Sequence, residues 1–202
     1  MLLEQPSSIL SKIYPKGVFR KDPEDHSVYL TFDDGPIPEV TPWVLDILDQ
    51  YGVKATFFVV GDNVRKHPDV YKMVTDRGHR IGNHTFNHVR GMRMRNHDYI
   101  ENVRKCDNLI STKLFRPPHG VLRRWTYRYM KGDYDIIFYD VITRDYNSKL
   151  KPEKVLEIVK KYTRNGSIIV FHDSLRSEKN LRWALPKAIE WLKEQGYGFK
   201  QL

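Results

Sequence analysis

Short apolar runs alternate with amphipathic stretches from residue 28 to the C-terminus. Runs rich in β-branched and aromatic residues predict buried strands, and apolar residues three or four apart predict helices. The predicted strands are residues 28–32, 55–60, 80–83, 114–115, 136–140, 167–171 and 197–200, and the predicted helices are residues 41–51, 69–77, 98–111, 124–131, 152–163 and 181–195. This alternation indicates an α/β fold with a parallel sheet and outer helices, as either an open doubly wound sheet or a distorted barrel.

The length and composition fit one folded domain, because 202 residues with 40% hydrophobic and 29% charged positions are ordinary for a globular protein. We predict a lead-in over residues 1–26 and the domain over residues 27–202. The first ten residues lack the basic and apolar regions of a secretory signal, and no run approaches a membrane span, which predicts a cytoplasmic location. The single cysteine, Cys106, excludes an internal disulfide, and we expect it to pack within predicted helix 98–111.

A net charge of +9 favours anionic partners such as cell-wall polymers or lipid headgroups. Two basic runs, residues 90–95 and 123–131, contribute to this charge, and the second is interleaved with aromatic residues as in some nucleic-acid-binding proteins. No nucleic-acid-binding motif accompanies them. We therefore interpret them as exposed helix or loop surfaces and expect no nucleic-acid partner.

Charged and titratable residues follow five of the predicted strands. They stand in segments 33–36 (Asp-Asp-Gly-Pro), 84–88 (His-Thr-Phe-Asn-His), 116–120 (Arg-Pro-Pro-His-Gly), 143–146 (Thr-Arg-Asp-Tyr) and 172–173 (His-Asp). Because the carboxyl ends of parallel strands meet on one rim, these segments are expected to converge there, where α/β proteins bind their ligands.

A metal site is one interpretation of these residues. His84 and His88 are spaced i, i+4, which on a helix or tight turn brings two imidazoles to one side. Two histidines and one carboxylate leave coordination positions open, as a catalytic metal requires. The alternatives are that residues 33–36 form only a turn, that the two histidines are unrelated loop residues, and that His172 is a core histidine. A nucleophilic-serine elbow, a phosphate loop and a dinucleotide fingerprint are absent from the sequence.

In this order, the segments Thr31–Pro36, His84–His88, Arg116–Gly120, Asp145-Tyr146 and Val170–His172 resemble the motifs of the NodB-type polysaccharide deacetylases, carbohydrate esterase family 4. The resemblance runs from about residue 28 to the C-terminus. It implies a distorted (β/α)7-type barrel and one divalent metal, most often zinc, with cobalt or nickel in some members.

The resemblance also implies a role for each matching residue. Asp34, His84 and His88 would hold the metal. Asp33 would be the general base, oriented by Arg116. His172 would be the general acid, held by Asp145. The backbone N–H of His119 would contribute to the oxyanion site, and Pro118 and Tyr146 would belong to the oxyanion and substrate region.

Three positions depart from the family pattern. His119 stands where a tyrosine is common, Ile142 replaces the first Asp of the usual Asp-x-x-Asp-Trp motif, and Tyr146 replaces its Trp. These changes affect the expected substrate more than the expected mechanism, because the metal ligands, base and acid are all present.

The expected function is therefore metal-dependent removal of acetyl groups from an N-acetylated (or O-acetylated) sugar, such as a chitooligosaccharide or peptidoglycan. Two alternatives remain: a deacylase of a lipid-linked sugar or small amide, and a non-catalytic polysaccharide-binding module on the same fold.

Overall fold

The computed structural model describes residues 4–202. Its eight short strands pair in parallel with one another. They are β1 (Ser27–Asp33), β2 (Thr56–Val59), β3 (Arg80–Asn83), β4 (Leu114–Phe115), β5 (Asp135–Ile136), β6 (Val141–Ile142), β7 (Ile168–His172) and β8 (Gly198–Phe199). Seven of them follow the order β5-β4-β3-β2-β1-β7-β6, and β8 pairs with the start of β1.

Helices surround this sheet. They are α1 (Ser8–Ile13), α2 (Thr41–Gln50), α3 (Gly61–Lys66), α4 (Pro68–Asp76), α5 (Asn96–Ile110), α6 (Arg124–Met130), α7 (Pro152–Tyr162) and α8 (Glu178–Glu194). The sequence pattern located six of them. It missed α1 and α3, because each has only six residues and is too short to show a helical period. No helix in residues 4–202 is both long and apolar enough to cross a membrane.

The prediction of a single strand over residues 136–140 is wrong. The segment contributes the end of β5 and then leads into β6, and these two strands lie at opposite ends of the sheet order. Seven flat strands would place the outer two roughly 29 Å apart, at about 4.8 Å per neighbour. The five residue steps from Ile136 to Val141 reach about 17 Å at most. The sheet must therefore curl, and the fold is the distorted (β/α) barrel rather than an open doubly wound sheet.

The core lies on both sides of β1, all seven residues of which are buried. Phe32 of β1 stacks with Phe57 of β2 and Phe171 of β7, with ring centroids 5.0 and 6.1 Å away. The apolar faces of α2, α7 and α8 cover this layer from outside. Cys106 is fully buried in the same cluster, and burial raises the pKa of its thiol to about 12, so the expectation that it serves packing is confirmed.

The lead-in contacts the barrel where the curled sheet is open. Val18 pairs with Ile137 and Arg20 pairs with Ser167, so this segment lies against the ends of both β5 and β7. Tyr14 is buried, and its ring stacks on Phe138 at 4.8 Å. Residues 1–3 of the predicted lead-in lie outside the described residues. The boundary after residue 26 stays a prediction.

Candidate active site

A cavity of about 440 Å³ opens at the carboxyl ends of β1, β3, β4 and β7. Eight of the ten site residues expected from the sequence line it: Asp33, Asp34, His84, His88, Arg116, His119, Tyr146 and His172. The other two lie outside the lining. Asp145 is buried behind His172, and Pro118 is buried while its neighbour Pro117 lines the cavity.

Asp34, His84 and His88 form a cluster in which one ligand atom from each lies within 4.8 Å of the others. Asp34 Oδ1 is 3.2 Å from His88 Nε2 and 3.8 Å from His84 Nε2. His84 Nδ1 lies 2.8 Å from the Arg116 carbonyl, which can only accept, so Nδ1 carries the proton and the Nε2 lone pair faces the cluster. Burial lowers the pKa of His84 to about 4, which keeps this lone pair free.

The two histidines come together in a loop and not on a helix. Thr85 and His88 both have positive φ, at 65° and 52°. The turn is held by the Asn83 side chain, which accepts the Thr85 N–H at 2.7 Å, and by Thr85 Oγ1, which accepts the Val89 N–H at 3.2 Å. Left-handed conformations at residues with side chains are strained, and they persist where surrounding contacts enforce them.

Asp173 holds the loop that carries Asp34, a role that the sequence analysis missed. The Gly35 N–H donates to Asp173 Oδ1 at 3.1 Å, and the Thr41 hydroxyl donates to Oδ2 at 2.6 Å. A Cβ on Gly35 would lie 2.0 Å from Oδ2, so only glycine fits there. Burial, with the nearby Asp34 charge, raises the pKa of Asp173 to about 8. The available signal was a charged residue directly after a buried strand.

Asp33 and Arg116 form a buried ion pair. Both are almost inaccessible, and Arg116 Nη1 donates to Asp33 Oδ1 at 2.7 Å. The same guanidinium donates to Thr31 Oγ1 at 2.8 Å and to the Phe138 carbonyl at 3.1 Å, and it lies 4.0 Å from the centre of the Phe58 ring. These contacts fix Asp33 in one orientation, with Oδ2 3.9 Å from His84 Nε2.

His172 and Asp145 form a second pair across the cavity. Asp145 Oδ1 is 2.8 Å from His172 Nδ1, and Oδ2 accepts the His172 backbone N–H at 2.7 Å. Burial alone would lower the pKa of His172, but the charges of Asp145, Asp34 and Asp33 outweigh it and raise the pKa to about 9. His172 is therefore a protonated acid at neutral pH.

The three positions that depart from the family pattern lie on two sides of the cavity: Ile142 and Tyr146 are near His172, and His119 is near His88. Ile142 packs with Tyr139, Val170 and Tyr146 into an apolar patch beside His172, and the Tyr146 ring meets the His172 ring edge-on at 4.9 Å. His119 has a φ of 61°, and its ring lies 4.9 Å from that of His88.

Comparison with known proteins identifies the class to which this fold and site belong. The chain belongs to the polysaccharide deacetylase family, carbohydrate esterase family 4, whose family model matches residues 20–135. It is a carbohydrate deacetylase by class. The fold and family inferred from the sequence motifs are thereby confirmed.

The chain is similar to several named proteins. It is 33% identical to a peptidoglycan-N-acetylglucosamine deacetylase of Bacillus cereus over 85% of this chain and 84% of the relative. The crystal structure of the Bc1960 peptidoglycan N-acetylglucosamine deacetylase matches with a TM-score of 0.90 and 31% identity, over 98% of this chain and 94% of the other. A family pseudoenzyme from Bacillus anthracis also matches, with a TM-score of 0.84 and 28% identity over 98% of this chain and 71% of that one.

Proposed function

We propose that this protein is a divalent-metal-dependent deacetylase that hydrolyses the N-acetyl group of a peptidoglycan sugar. The observation that carries the proposal is the juxtaposition of three elements in one cavity. These are the cluster of Asp34, His84 and His88, the buried pair of Asp33 and Arg116, and the hydrogen-bonded pair of His172 and Asp145. A metal site, a base and an acid are the three parts that metal-dependent amide hydrolysis uses.

The cluster fits a metal ion by its donor set. Two neutral imidazole nitrogens and one carboxylate oxygen suit zinc with open positions for water and substrate, and cobalt or nickel can use the same ligands. Within residues 4–202, Asp34 Oδ1 is buried and has no hydrogen-bond partner, although it points between the two imidazoles. A bound cation would satisfy this oxygen. Zinc remains our proposal for the metal.

In the proposed reaction, water adds to the acetyl carbonyl carbon, the C–N bond breaks, and acetate and a free amine leave. A bound cation would supply polarisation of the carbonyl and acidification of water. Asp33 takes a proton from the attacking water, and Arg116 keeps its carboxylate in position. The backbone N–H of His119 donates to the developing oxyanion. His172 gives its Nε2 proton to the departing nitrogen, because Nδ1 is engaged by Asp145.

The substrate class rests on the relatives. The proteins to which this chain is similar are named as peptidoglycan N-acetylglucosamine and N-acetylmuramic acid deacetylases. We extend that class of substrate, an N-acetylated glycan, to this chain. We further propose contact with anionic cell-wall polymer, supported by the net charge of +9 and by the exposed face of α6, where Trp125 and Tyr129 stack at 5.4 Å beside exposed arginines.

The test measures acetate release by metal-depleted protein that is resupplied with zinc, cobalt or nickel. Substrates are peptidoglycan fragments and chitooligosaccharides. We expect metal-dependent release that Asp33→Asn abolishes, while Asp69→Asn, the same change at an exposed position on α4, retains it. Zinc affinity is measured in parallel. Bound zinc without acetate release from any substrate would contradict the proposal and favour a binding module.

A further inference from the structure

Two arginines of the active-site cavity have no carboxylate partner in the described part of the chain. Arg90 and Arg176 both line the cavity and are exposed. Other arginines do have carboxylate partners: Arg144 pairs with Glu4 at 2.6 Å, and Arg182 pairs with Glu178 at 2.8 Å. Unpaired guanidiniums at the mouth of a cavity attract anionic ligands, because low-dielectric walls focus their field.

These two arginines stand on different sides of the reacting centre. Arg90 belongs to the metal side, because its Nε donates to His119 Nε2 at 3.2 Å and the His119 ring lies 4.9 Å from that of the ligand His88. Arg176 belongs to the acid side, because its guanidinium lies 6.0 Å from the Tyr146 ring, which in turn meets His172. A sugar bound between metal and acid would therefore have a guanidinium within reach on either side.

No acidic side chain in the cavity lining compensates these two charges. The carboxylates of the lining are Asp33 and Asp34, and the arginines are Arg90, Arg116 and Arg176, so three guanidinium charges face two carboxylates before His172 or any metal is counted. Asp33 is already paired with Arg116. Asp34 is the proposed metal ligand. Both uncompensated guanidiniums thus remain for the substrate.

We infer that Arg90 and Arg176 select an N-acetyl sugar that carries a carboxylate next to its acetamido group, as N-acetylmuramic acid does through its lactyl ether. Guanidinium forks match the geometry of a carboxylate, whereas a neutral N-acetylhexosamine has only a hydroxyl in place of the lactyl ether. The inference deepens the proposed function and rests on it. It makes the two arginines specificity determinants of the same site.

The experiment uses one disaccharide in two forms. N-acetylglucosaminyl-N-acetylmuramic acid and its methyl ester have nearly the same shape and differ by one negative charge. The zinc-loaded protein is expected to show a higher kcat/KM for the free acid, by about fivefold or more, with a preference that weakens in about 0.5 M salt. Arg90→Gln and Arg176→Gln should each lower this ratio, and Arg80→Gln, at an exposed arginine on β3 outside the cavity, should leave it unchanged.

A binding measurement separates this inference from the proposed function. Affinities of the Asp33→Asn protein for the acid and the ester are compared by calorimetry, so the preference is read without turnover. In one outcome, the protein releases no acetate from any substrate and still binds the acid more tightly than the ester, with Arg176→Gln abolishing that preference. This result would refute the proposed function and leave the inference standing. Equal affinities for acid and ester, or a preference that both arginine variants retain, would overturn the inference.

Discussion

Replacing Arg116 by methionine would leave the Asp33 carboxylate buried without its partner. The guanidinium makes side-chain hydrogen bonds to Asp33, Thr31 and the Phe138 carbonyl, all within 3.1 Å. Methionine keeps an unbranched apolar side chain at this position but removes the charge, the donors and the contact of the guanidinium with the Phe58 ring. The perturbation therefore tests the guanidinium and its ion pair with Asp33.

The expected loss follows from the burial of the pair. Breaking a buried pair by removing one partner costs about 3–5 kcal/mol, because the remaining charge stays desolvated. That is a large share of the roughly 5–15 kcal/mol that holds a typical domain together. The double variant Arg116→Met/Asp33→Asn removes both charges, and should recover about 2 kcal/mol or more of the loss while remaining inactive.

Urea unfolding followed by tryptophan fluorescence measures these differences, since the chain has four tryptophans. Chelator is present throughout so that metal binding does not contribute to stability. Arg80→Met, at an exposed position on β3, is the control and should change the free energy of unfolding by about 0.5 kcal/mol or less. A loss below about 1 kcal/mol for Arg116→Met, or a double variant as unstable as the sum of the two single variants, would refute the reasoning.

Three further outcomes are expected. Asp145→Asn removes the charge that holds the pKa of His172 near 9; because His172 must be protonated to act as an acid, the alkaline limb of the kcat/KM profile should move to lower pH, and an unmoved limb would exclude His172 as that acid. Gly35→Ala places a Cβ 2.0 Å from Asp173 Oδ2 and should weaken zinc binding about tenfold or more, measured by chelator competition, whereas Gly132→Ala, with open space around it, should not. Adding zinc at about 100 times its Kd to chelated protein should raise the free energy of unfolding by about 2.7 kcal/mol, and an unchanged urea midpoint would argue against a metal site in the folded state.

The sequence by itself determined most of what depends on local pattern. Continuous apolar runs identified β1, β2 and β7, since strands buried on both faces consist mostly of apolar residues. Polar residues directly after those strands identified the carboxyl ends of the sheet as the place of the site. Asp33, His84 and His172 each belong to a segment that directly follows a predicted strand, and these segments match the family motifs in order. Their roles could therefore be predicted before any contact was known. Seven of the eight strands were located in this way, though not all with their correct limits.

Tertiary structure decided what depends on residues far apart in the chain. Asp173 and Gly35 are 138 positions apart, so no local signal connects the carboxylate to the loop that it holds. Residues 136–140 have the composition of one strand. In the structure they connect the two edges of the curled sheet, because β5 pairs with β4 and β6 pairs with β7. Arg90 and Arg176 are ordinary surface arginines in the sequence. Only the curled barrel brings them to one cavity, and only the tertiary structure shows that neither has a carboxylate partner among the described residues.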